Sequence, residues 1–148
     1  MAHPLFIENR DALKHYAVHE LHHAGFITAK GNEMPSLDIR TYGEMAELIA
    51  YCTHLEGMGT YAAFDARPTE SCQAEYFAIY NFFKNSPEKT ISDDDWSKIS
   101  ILADENRLWY TVGALIAQTI DEKCGRNHLI DLISEPSSNF IETYLRIS

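Results

Sequence analysis

Met45, Leu48, Ile49, Cys52 and Leu55 recur every three or four positions, the period at which side chains line one buried face of an α-helix. Thr41-Tyr42-Gly43-Glu44 stands just before them with the spacing of a capping box, in which hydroxyl and carboxylate satisfy each other's backbone N–H groups. Together these signals predict a helix from Thr41 to about Phe64. That helix needs others to cover its apolar face.

The same signals divide the rest of the chain. A first helix is expected from Asn9, as N-cap, to Gly25, as C-terminal stop, followed by a polar loop with Gly31, Asn32 and Pro35. Pro68 separates the second helix from a third, Ser71 to Phe83. "NSPEKTISDDD" reads as a loop, and Ser92 ahead of Asp93, Asp94 and Asp95 suits a new helix start favoured by the macrodipole. Helical patterning continues, with a break near Asp104, to Cys124 and Gly125. Asn127 to Ser134 and Ser138 to Arg146 complete the chain. No stretch alternates as a strand does, and none repeats. The expected fold is a single all-α domain over residues 1–148, a helical bundle with little or no β-sheet. Trp96, Trp109, Tyr76, Phe77, Tyr80, Phe82 and Phe83 are expected in its core.

Charge and composition narrow the function. A net charge of −10 with 12 lysines and arginines argues against a nucleic-acid partner, because phosphate contacts need cations. Cys52, Cys72 and Cys124 are odd in number and contain no C-x-x-C. They are expected as reduced, buried thiols of a cytoplasmic protein. "MAHPLFIENRD" lacks the pattern of a secretory leader. The longest apolar run, Leu108 to Ala117, is too short to cross a bilayer, so no membrane partner is expected.

"HYAVHELHHAGF", residues 15 to 26, holds four histidines. Within it, His19-Glu20-Leu21-His22-His23 reads as H-E-x-x-H. Positions i and i+4 share a helix face, so His19 and His23 present two imidazoles to one ion. Glu20 is displaced from them by about a hundred degrees and flanks the ion, where a base acting on water belongs. A histidine at position 29 would extend the motif, but Ala29 stands there. Glu56 is the candidate third ligand. It continues the stripe of Leu48, Ile49 and Cys52, so it should point inward, where a carboxylate needs a partner or a cation. Gly57 and Gly59 beside it allow two helix backbones to approach closely.

With these residues in place, the chain resembles the helical catalytic half of gluzincin-type metallopeptidases. It is more closely similar to families of predicted zinc-dependent peptidases. The resemblance rests on "HELHH" (19–23), "EGMGTY" (56–61), "YTVG" (110–113) and "GRNHL" (125–129), in an order that covers most of the chain. It implies His19, His23 and Glu56 as metal ligands and Glu20 as catalytic base. It also implies Tyr110 as a stabiliser of the transition state, with Tyr61 as runner-up. His15 and His22 are candidates to support the ligands, and His54 should point elsewhere. Zinc is the default for two histidines and a carboxylate, although iron(II) accepts the same set.

One departure bears on catalysis. Zincins carry a β-sheet whose edge strand holds an extended substrate, but only 18 residues precede His19 and none reads as a strand. Either the substrate is small, or a second copy or partner chain supplies the edge, or catalysis has been lost. The expected function is a zinc-dependent hydrolase of peptide or small amide-type substrates. The alternative is a non-catalytic helical module, metal-binding or not, derived from a peptidase fold.

Overall fold

The computed structural model describes residues 10–31, 33–64 and 68–148. Helix α1 spans Arg10–Ala29, α2 Tyr42–Ala63 and α3 Glu70–Lys84. A 3-10 turn at Asp93–Asp95 leads into α4, Trp96–Ser100, which widens into a π-helical turn over Ile101–Glu105. Helix α5 spans Leu108–Cys124 and α6 Arg126–Asp131; α7, Ser137–Ile147, closes the chain after a 3-10 turn at Leu132–Ser134. The fold is all-α. Among the described residues the only β-type pairing is an isolated bridge between Thr41 and Thr90, and no helix is long and apolar enough to cross a membrane.

Helix α2 is the axis of the bundle, with α1, α3, α5 and α7 packed around it. Its start is the predicted capping box: Thr41 Oγ1 accepts from Glu44 N–H at 3.2 Å, and Glu44 Oε2 accepts from Thr41 N–H at 2.9 Å. The following N–H groups do not face water. Tyr42 donates to Lys89 O and Gly43 to Pro87 O, so the predicted loop is tied to the head of α2. The expectation of a single apolar face on α2 is corrected. Met45 and Ile49 are fully buried, but Leu48, Cys52 and Leu55 are only partly so. Ala46, Ala50, Gly57 and Gly59 are buried as well, because four helices surround this one and small residues let them close in.

The tightest approach joins α2 to α5. A Cβ placed on Gly57 would lie 2.4 Å from the Gly113 backbone, and one on Gly113 would lie 2.4 Å from the Thr53 carbonyl oxygen. No side chain fits at either position, which gives "YTVG" a packing role. Gly59 serves a different neighbour, described below.

The first helix does not stop at Gly25. It runs to Ala29, with Gly31 at φ 68° after it. Phe26 explains the extra turn. It is 1% exposed and packs edge-on against His54, ring centroids 4.8 Å apart; its burial outweighs the roughly 1 kcal/mol helix penalty of one glycine. The Asn9 cap and Asn32 lie outside the described residues. Helix α3 begins one residue earlier than expected, capped by Thr69, whose hydroxyl accepts from Cys72 N–H at 3.3 Å. The break expected near Asp104 is the π-helical turn, and the stop at Gly125 is present with φ 91°. Trp96 and Phe82, expected in the core, are exposed. Phe82 instead carries the ammonium of Lys98 4.6 Å from its ring centroid. Of the three cysteines, Cys124 is exposed and the other two are half-buried.

Candidate metal centre

Helix α1 supplies His19 and His23 from successive turns, and α2 supplies Glu56 from the face turned towards α1. His19 Nε2 lies 3.0 Å from Glu56 Oε2, and His23 Nε2 lies 3.2 Å from the same oxygen. One donor atom from each residue falls within 4.8 Å of the others. Two ligands of a tetrahedral ion at 2.0–2.1 Å stand about 3.3 Å apart, and both distances to Glu56 match that spacing.

Hydrogen bonding alone accounts poorly for this geometry. His19 Nε2 is within bonding geometry of Glu56, but His23 Nε2 is buried with no hydrogen-bond partner. A buried ring nitrogen left without a hydrogen bond is costly, and a cation held between the imidazoles and the carboxylate removes that cost. Gly59 completes the cradle. A Cβ there would come within 3.1 Å of both His19 Nδ1 and His23 Nε2. The residues present therefore fit a divalent ion.

The cluster opens on a cavity of about 590 Å³ whose lining includes Glu20, Tyr110 and Arg107. Glu20 stands on the solvent side of α1. The Tyr110 ring lies nearly parallel to that of His19, at 20° and 6.3 Å between centroids. Burial, and then the charge of Glu56, raise the Tyr110 phenol above its usual pKa near 10. It stays protonated at neutral pH and available as a donor. The Arg107 guanidinium lies over the Tyr110 ring, 4.4 Å from its centroid.

The profile of one protein family matches residues 5–148, under the description "putative zinc dependent peptidase (DUF5700)". The chain belongs to this family. No curated protein and no solved structure matches it.

In this family member the remaining polar residues sort by what they touch. Tyr61, the runner-up as oxyanion donor, is directed away from the cluster and donates to Asp121 Oδ2 at 2.7 Å; Arg126 pairs with the same carboxylate. His15 is exposed and lies against Phe64. His22 is half-buried on another side of α1, in a hollow lined by Met58, Leu129 and Ile133. Burial, then His23 and His19, lower its pKa. His54 points elsewhere, as its offset from Glu56 required: it stacks on Phe140 at 4.3 Å and 13°. The Cys52 thiol is pushed up to about 12 by burial and by Glu56, so it is no nucleophile. Asp95 of the acidic run is buried and accepts from Ser92 N–H, Ser92 Oγ and Tyr42 OH. The backbone bond from Ser92 is the first cause that lowers it to about 2.

Sequence reasoning did not single out Arg107. Its place in the cavity depends on a left-handed backbone turn that an arginine does not advertise.

Proposed function

We propose that the chain is a zinc-dependent hydrolase of peptide or small amide bonds, of the gluzincin type, with His19, His23 and Glu56 as ligands. The observation that carries the reading is the convergence of three donor atoms at ligand spacing on the wall of a cavity that also holds Glu20. When bound, zinc supplies a Lewis acid that acidifies water and polarises a carbonyl. Glu20 takes the proton of the attacking water and returns it to the leaving amine. Its place one residue after His19, beside the ligands and open to solvent, suits both transfers. Tyr110, protonated and held against His19, donates a hydrogen bond to the oxyanion that develops on the substrate carbonyl. Among the described residues no strand is present to hold an extended chain, and a short substrate is the class that needs none.

The same lack of a strand favours a second reading, a helical metal-binding module without turnover, or one that acts only when a second copy or partner lends an edge. One set of measurements separates them. Metal content by mass spectrometry, on protein without a histidine tag, should give one zinc per chain in the wild type. Glu20→Gln should keep that zinc and cut hydrolysis of short-peptide pools by ~100-fold or more. A wild type that holds zinc but hydrolyses nothing supports the module. A wild type that holds no zinc when supplied with it ends both metal readings.

A further inference from the structure

Arg107 is the one lysine or arginine among the described residues lining the cavity. It is also the one described non-glycine residue with positive φ, at φ 49° and ψ 42°, a conformation disfavoured for any residue with a Cβ. The chain holds it there from both sides. Asn106 N–H closes the π-helical turn onto Ile101 O, and the Arg107 carbonyl accepts from Tyr110 and Thr111 N–H, both at 3.2 Å. Strained backbone of this kind persists where its surroundings over-determine it, and it collects at functional sites. The result is a layered arrangement in which the guanidinium lies on Tyr110 and Tyr110 lies beside His19.

Two other arginines hold carboxylates: Arg40 pairs with Asp38, and Arg126 with Asp121. The described partner of Arg107 is the tyrosine. A guanidinium carries five N–H donors, so one that lies on Tyr110 and also hydrogen-bonds to it keeps others for a planar, bidentate anion. Charge favours the same occupant. A divalent ion in the His-His-Glu group offsets Glu56 and Glu20, which leaves the Arg107 end of the cavity positive.

We infer that Arg107 is a specificity-determining residue that holds a carboxylate of the substrate, and that the enzyme selects short substrates carrying this carboxylate within about three extended residues of the hydrolysed bond. The inference rests on the proposed zinc centre and adds the substrate class to it. A peptide C-terminus or an acidic side chain can present the group.

The test uses the zinc-loaded full chain and three hydroxamate probes. Each carries the same zinc-chelating head; one ends in a C-terminal carboxylate, one in the matching amide, and one has an aspartate side chain with an amidated end. In the wild type a carboxylate-bearing probe should bind ~10-fold or more tightly than the amide; the tighter of the two identifies the source. Arg107→Gln should abolish that preference while amide-probe affinity and zinc content stay at wild-type values. Arg107→Gly, freed of its Cβ in the left-handed turn, should also lose the preference, yet melt within about 3 °C of the wild type. Zinc bound but no carboxylate preference, or a preference that survives both substitutions, overturns the inference alone. Absence of zinc from the wild type overturns the inference together with the reading beneath it.

Discussion

Two histidine sites meet α2 within one turn of each other, at Glu56 and at His54, and have opposite character. At one, His19 and His23 meet Glu56 beside an open cavity. At the other, His54 is fully buried between Phe26 and Phe140, its Nδ1 3.3 Å from Ser137 Oγ. Each contains an imidazole nitrogen without a hydrogen-bond partner, so an unpartnered histidine does not by itself mark a ligand. The difference is what surrounds the nitrogen. Around Glu56 the neighbours are donor atoms and space; around His54 they are aromatic rings, and burial lowers its pKa well below normal, which keeps it neutral in an apolar setting. One site is arranged to hold a charge and the other to avoid one.

The comparison can be broken by exchanging the outcomes. Glu56→Ala and His23→Ala should each lose the bound zinc, the rise in melting temperature that zinc confers, and all hydrolysis. His54→Ala should keep one zinc per chain but lose about 2–4 kcal/mol of stability in denaturant unfolding, because it empties a packed aromatic slot. A His54 variant that loses zinc while still folded would erase the distinction.

Gly59→Ala sharpens it. The new methyl carbon would press on His19 and His23 at 3.1 Å, so zinc affinity should fall by about tenfold in a competition titration, a loss of roughly 1.4 kcal/mol, with the melting temperature of the metal-free protein little changed. The smallest effect is expected at Asp95, a buried carboxylate that, unlike Glu56, is saturated with donors. Its folded pKa of about 2 lies below the roughly 3.9 of an unfolded aspartate. Its contribution is therefore complete above about pH 4 and is lost as the pH falls towards 2. Asp95→Asn should flatten melting temperature against pH across that window and leave zinc binding and hydrolysis alone.

These contrasts were unevenly legible in the chain. His19 and His23 share a face because four residues make about one helical turn, and the Thr41 capping box closes within three residues. Both are local facts. Glu56 could be pointed inward from its place on the α2 stripe, but its distance from two imidazoles on another helix could not be read. The Gly25 stop failed because Phe26, one residue further on, finds a pocket against α2. Tyr61 looked as suitable a donor as Tyr110 until Asp121, sixty residues away, claimed its hydroxyl.

The all-α class, the cap of α2 and the two-histidine turn were thus determined by the sequence alone, because each depends on residues close enough along the chain to meet within one helix. The pairing of Gly57 with Gly113, the left-handed Arg107 over Tyr110, and the single carboxylate oxygen between two imidazoles were decided only by the tertiary structure. They depend on which helices cross and at what separation, and close packing of the whole bundle sets that in a way no local pattern records.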